Sequence, residues 1–123
     1  MSALLVIHRH PPPSLNTVLA MNRWTRARHA AMWRDEAVAA WANAGRPYYE
    51  RCIVNITLYA RGDRQIQDSD NLYGAAKPIL DGLKKRAFPD DSIDVIGTPW
   101  IRRETDNKYP RVEIELRERC DHA

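Results

Sequence analysis

Between residues 68 and 91 the chain carries Asp68-Ser69-Asp70-Asn71, Lys77, Asp81-Gly82-Leu83 and Asp90-Asp91. On an extended segment Asp68 and Asp70 project to the same side, with Cα atoms roughly 6–7 Å apart. Two carboxylates so placed repel each other unless a cation lies between them. Hard oxygen ligands with no His or Cys nearby select Mg²⁺ or Mn²⁺ over Zn²⁺. Asp91, ahead of its neighbour Asp90, is the acid expected to close the set. It sits beyond a helix of roughly 20–25 Å at about 1.5 Å per residue, so the chain must fold back for the three to meet. Neighbours on an extended segment face opposite ways, so at most one of Asp90 and Asp91 reaches the same metal. Lys77 and Asp81, at i and i+4, share a helix face. A lysine beside such acids can stabilise charge on a scissile phosphate.

Each feature also has a plainer reading. Lys77 with Asp81 makes a surface ion pair worth about 0–1 kcal/mol, Asp70 an N-cap, and Asp90-Asp91 after Pro89 a turn. Several independent accidents around one helix are the weaker explanation of the whole set.

The basic residues are grouped as well. Arg23, Arg26, Arg28 and Arg34 stand close together with no acid among them, and Lys84-Lys85-Arg86 form a second cluster. The net charge is only +3, but an acidic centre with basic flanks suits a polyanion held by its phosphates around bound cations. A solvated surface with local charge clusters is the competing reading. The aromatics Trp24 and Tyr73 are read chiefly as packing residues, with stacking on opened bases as the alternative.

The elements that must position these groups follow from periodicity. Leu4 to Ile7 reads as a short strand, and Pro11-Pro12-Pro13-Ser14-Leu15-Asn16 as a stiff extended connection. From about Thr25 or Arg28 to Asn43, Trp33, Ala37, Ala40, Trp41 and Ala44 mark one apolar helix face. Cys52 to Ala60 alternates as a strand. A second helix runs from about Asn71 to Arg86, with Leu72, Ala76, Ile79, Leu80 and Leu83 as its stripe and Pro78 as a kink or a late start. Two strands, about Val95 to Glu104 and Arg111 to Glu118, close the chain. The order β-α-β-α-β-β predicts one α+β domain over residues 1–123, a mixed or antiparallel sheet with two helices packed on it.

No apolar run approaches the roughly 20 residues of a membrane span. Ala3 to Ile7 ends at His8-Arg9, short of a signal peptide's apolar region of about 7–15 residues, so a cytoplasmic location is expected. Cys52 and Cys120 form neither a disulfide framework nor a metal-ligand spacing and read as reduced thiols. His8, His10, His29 and His122 show no zinc-ligand spacing, and no Gly-flanked nucleophile is present.

These motifs resemble the RusA-type Holliday-junction resolvases. That family has an N-terminal Pro-Pro-Ser-x-Asn segment, matched by Pro12-Pro13-Ser14-Leu15-Asn16, then Asp-x-Asp-Asn, a Lys, Asp-x-Leu and a paired Asp-Asp. Here Asp68-Ser69-Asp70-Asn71, Lys77, Asp81-Gly82-Leu83 and Asp90-Asp91 follow in that order. The resemblance spans roughly Leu4 to Leu116 and implies a RusA-like fold. It also implies metal binding by Asp68, Asp70 and Asp91, with Lys77 assisting catalysis. One departure is that Lys77 stands further from Asp70-Asn71 than the family pattern, the additional residues lying within Leu72 to Ala76.

The resulting expectation is an endodeoxyribonuclease with one or two Mg²⁺ ions (Mn²⁺ substituting). It would resolve Holliday junctions by paired symmetric nicks in recombination and repair, in a phage, prophage or host setting. Two nicks call for two sites, which a C2 homodimer supplies. Arg23, Arg26, Arg28, Arg34, Lys84, Lys85 and Arg86 are the candidates for gripping DNA. The alternatives are a nuclease for flaps or forks, and a non-catalytic DNA-binding module.

Overall fold

Alternating apolar residues build the core. A computed structural model describes residues 1–62 and 69–119, leaving aside the side chains of 69–71. Along the chain run β1 (Ser2–Ile7), α1 (Leu15–Leu19), α2 (Arg23–Asn43), β2 (Cys52–Ala60), α3 (Ser69–Leu83), α4 (Ile93–Ile96), β3 (Trp100–Thr105) and β4 (Arg111–Glu118). The strands form one four-stranded mixed sheet in the order β1-β4-β2-β3. β4 is antiparallel to both β1 and β2, and β3 is parallel to β2. This is the expected α+β architecture.

One sheet face supplies Leu5 and Ile7 from β1, Val54, Ile56 and Leu58 from β2, and Val112, Ile114 and Leu116 from β4, all buried. Against them pack Trp33, Ala37 and Ala40 of α2 with Ile79, Leu80 and Leu83 of α3. At about 1.5–3 kcal/mol for each fully buried large side chain, this two-layer core is the dominant stabilising term. Gly82 lets the two helices meet: a Cβ there would lie 2.7 Å from the Arg34 carbonyl oxygen and 3.1 Å from Ala37 Cβ.

Four local expectations are corrected. The segment after the prolines is not extended throughout, because Ser14 caps the short helix α1 by accepting from the Thr17 N–H. α2 begins at Arg23, earlier than the apolar pattern indicates, because Asn22 Oδ1 accepts from the Thr25 N–H at 2.8 Å. α3 runs through Pro78 and ends at Leu83, so the proline neither splits the helix nor delays its start. Lys85, at φ 70°, reverses the chain just beyond and donates its N–H to the Phe88 carbonyl at 2.7 Å. Finally, residues 93–96 are helical, so β3 starts at Trp100 rather than near Val95. β3 and β4 are consecutive but not neighbours, since β2 separates β3 from β4.

Candidate functional site

Two elements converge on one point beside α3. Buried Phe88 anchors the reversal after the helix, and the Tyr49 N–H donates to the Ala87 carbonyl at 2.9 Å. With the chain pinned there, Pro89-Asp90-Asp91 is turned back along the helix. Asp90 Oδ1 accepts from the Ser92 N–H at 2.8 Å, closing an Asx turn that starts the approach to α4. Asp91 points the other way. Its Oδ2 accepts from Lys77 Nζ at 3.0 Å, although the two residues are fourteen apart in sequence. The chain folds back along α3 as far as Lys77, which only Asp91 of the acidic pair faces; the expected meeting with Asp68 and Asp70 lies outside the described side chains.

Lys77 Nζ also donates to Asp81 Oδ1 at 2.7 Å, one helical turn away. The ammonium is therefore shared between two acids, one local and one brought in by tertiary structure. Its pKa is pushed up, foremost by the hydrogen bond to Asp81, with Asp91 adding to it against a partial desolvation. The Asp91 carboxyl is held below the usual carboxylate range, foremost by the hydrogen bond from Lys77. Lys84 Nζ lies 3.9 Å from Asp91 Oδ1 and contributes in the same direction. Asp90 is lowered too, by its hydrogen bonds with Ser92. All three members of the cluster are partly open to solvent, so the attraction is screened and the geometry matters more than the energy.

Of the other expected ligands, Asp68 lies outside the described residues, as does the side chain of Asp70. The backbone of Asp70 is within the first turn of α3, not on the extended segment expected for it; the Asp68/Asp70 pair itself lies outside the described side chains. Asp70 is also set aside as N-cap, since Ser69 before it is already helical. The exit toward Asp68 is fixed at its start. The Ala60 carbonyl accepts from the Asp106 N–H at 2.9 Å, the Gly62 N–H donates to Asn107 Oδ1 at 2.9 Å, and Thr105 Oγ1 donates to the Gly62 carbonyl at 3.1 Å. Among the described residues no three His, Cys, Asp or Glu side chains gather as a metal-binding group. Asp91 fits as one hard ligand: it is ionised, and its Oδ1 approaches Lys84 only beyond hydrogen-bond distance.

The basic candidates are carried by the two core helices. Arg23, Arg28 and Arg34 of α2 are exposed, Arg26 half-buried, and Lys85 and Arg86 exposed beyond the end of α3. Arg86 Nη1 donates to the Gly82 carbonyl at 3.3 Å, so this arginine is drawn back over the helix end. Lys84, half-buried, turns toward Asp91 and is more a member of the acidic cluster than of the basic flank.

Trp24 corrects the packing expectation. It is 69% exposed, with the Arg23 guanidinium 5.3 Å from its ring centroid. Tyr73 is also exposed. A tryptophan on the first turn of α2, two residues past a capping Asn, is a signal that was present in the sequence. The residue that sequence reasoning missed is Gly82, read only as the middle of Asp81-Gly82-Leu83. Its role is to bring α2 against α3, and with it the arginine-bearing helix beside the lysine-bearing one.

Among the described residues no helix is long and apolar enough to cross a membrane. Searched against protein-family models and against curated proteins, the chain matches none.

Proposed function

We propose that this protein is a Mg²⁺-dependent endonuclease acting on branched DNA, in the manner of the RusA-type junction resolvases its motifs resemble. The observation that carries the reading is the meeting of Lys77 and Asp91 across fourteen residues. The motif order makes sense as chemistry only if these two come together, and the chain reversal anchored by Phe88 brings them there.

Asp91, with Asp68 and Asp70, would hold the metal. When bound, Mg²⁺ supplies a Lewis acid for the phosphate and an acidified water. Lys77, kept protonated by its two acids, offers a cation to the charge that builds on the scissile phosphate. Asp81 holds Lys77 from the helix side, so the ammonium keeps its place when Asp91 turns to a metal. The α2 arginines and exposed Trp24 stand ready to grip phosphates and to stack on an unpaired base. A C2 homodimer would give the two sites that paired nicking requires.

The test is cleavage of labelled four-way junction, fork, flap and linear duplex side by side, with Mg²⁺ and with EDTA. Metal-dependent paired nicks on the junction support resolution, and preference for flap or fork redirects the substrate. Binding that EDTA does not alter, with no nicking on any substrate, leaves a non-catalytic DNA-binding module.

A further inference from the structure

β2, α3 and β3 form a crossover unit. β2 and β3 are parallel neighbours, so the chain that leaves β2 at Ala60 must travel back along the sheet before β3 begins, and α3 packs on β3 as it does so. The first turn of α3, with Asp70, therefore lies at the end where both strands finish. That is the end at which such units bind their ligands. Thr105 marks it on β3, where its hydroxyl donates at 3.1 Å to the carbonyl of Gly62, on the exit toward Asp68.

Arg103 stands two residues, roughly 6–7 Å, back from Thr105. In the strand register it is paired with Leu58, which is fully buried on the face that the helices cover. Paired residues share a face of the sheet, so Arg103 is turned toward α3. Its neighbour Arg102 takes the opposite face, where Nε donates to Thr57 Oγ1 at 3.2 Å. Ile101, on the same side as Arg103, packs against the core to which α3 contributes Ile79 and Leu80. Arg103 is half-buried, and among the described residues it has no hydrogen-bond or ion-pair partner.

We propose that Arg103 binds a backbone phosphate of the DNA strand that enters the Lys77–Asp91 site, beside the phosphate that Lys77 faces; this rests on the DNA-binding part of the function proposed above and not on cleavage. A partly desolvated guanidinium without an anion is an unfavourable arrangement, and its rigid fork of donors matches the oxygens of a phosphate. Arg103 belongs to neither basic cluster of the sequence. Its approach to the site comes from the parallel pairing of β3 with β2, which no local pattern records.

β3 is an edge strand, and a charge turned inward on such a strand can serve only to keep the edge from pairing with another sheet. That role is indifferent to the position of the charge along the strand. Arg103 lies instead near the finishing end of β3, beneath the helix that carries Asp70 and Lys77. The two roles also part in experiment, because a guard of the edge protects solubility whereas a phosphate ligand protects affinity for DNA.

The test measures binding of a labelled four-way junction by the full chain in EDTA, as a function of KCl concentration. Arg103→Gln should weaken binding about tenfold at fixed salt, the scale of one charged hydrogen-bonding contact. It should also lower the slope of log Kd on log salt by about 0.9, the value for one phosphate. Arg103→Lys should keep the slope and recover part of the affinity. Methylphosphonates placed singly along the strand should reveal one position that weakens the wild type and leaves Arg103→Gln unaffected, which a merely structural arginine would not produce. The urea midpoint of Arg103→Gln should equal or exceed that of the wild type. A wild-type slope in Arg103→Gln, the absence of any such methylphosphonate position, or aggregation with DNA affinity unchanged would each overturn the inference. A wild type that binds and never cuts would end the nuclease reading and leave this one standing; a wild type with no affinity for DNA would end both.

Discussion

Lys77 Nζ stands 3.0 Å from Asp91 Oδ2 and 2.7 Å from Asp81 Oδ1, one cation shared by an acid on its own helix and an acid beyond a chain reversal. In the proposed mechanism the two acids have different work: Asp81 holds the lysine, and Asp91 exchanges the lysine for a metal.

That division gives the first prediction. Lys77→Met should reduce single-turnover cleavage of a four-way junction by about 10²–10³, the usual cost of losing one preorganised charge stabiliser. Asp81→Asn should cost less, about tenfold, because the Lys77 cation itself remains and loses only the acid that holds it. Equal losses in the two variants would contradict the assigned roles.

Stability at the helix interface is expected to depend on Gly82. A Cβ would meet the Arg34 carbonyl at 2.7 Å, backbone that cannot rotate aside. Gly82→Ala should therefore lower unfolding stability by about 1–3 kcal/mol, the range for overpacking, read as a fall in urea midpoint at unchanged slope.

Phe88 links core to site. It is fully buried, and the reversal it anchors presents Asp91. Phe88→Ala should cost about 3–5 kcal/mol in urea unfolding. It should also depress cleavage at temperatures where the variant remains folded, because Asp91 loses its approach to Lys77. Full activity in a folded Phe88→Ala variant would separate the anchor from the site.

Acid sensitivity is expected at the β3–β4 connection. Asp106 accepts from the Tyr109 and Lys108 N–H groups, each at 3.0 Å, and from Arg111 Nη1 at 2.8 Å. These bonds, that from Tyr109 foremost, hold its carboxyl below the ordinary value. A group lowered in the folded state stabilises fully above its unfolded pKa of about 3.9, and that contribution is lost as pH falls through the folded value. Asp106→Asn should thus destabilise the protein at pH 7 and make its stability fall less between pH 5 and pH 2. A variant whose acid limb matches the wild type would exclude Asp106 as a contributor.

Much of this arrangement was legible in the residues themselves. The alternation in Cys52–Ala60 and Arg111–Glu118 gave both strands with their burial, because period-2 patterning is local. Lys77 with Asp81 followed from helix spacing alone. What stayed hidden was non-local or capped. No periodicity records that β3 pairs with β2 and not with its chain neighbour β4. The helix at Leu15–Leu19 depends on one Ser14 oxygen after prolines that otherwise argue for extended chain. Residues 93–96 are too short for a helical period to emerge, so Val95 and Ile96 read as strand. The glycine of Asp81-Gly82-Leu83 looked like motif filler because the surface it admits belongs to another helix.

The most direct measurement incubates an end-labelled four-way junction with Mg²⁺ and either wild-type protein or Asp91→Asn. The expected result is a pair of symmetric nicks from the wild type, abolished by EDTA, and none from the folded variant. An uncut junction with the wild type, or cutting by Asp91→Asn at the wild-type rate, would contradict a metal-dependent nuclease centred on Asp91 and Lys77.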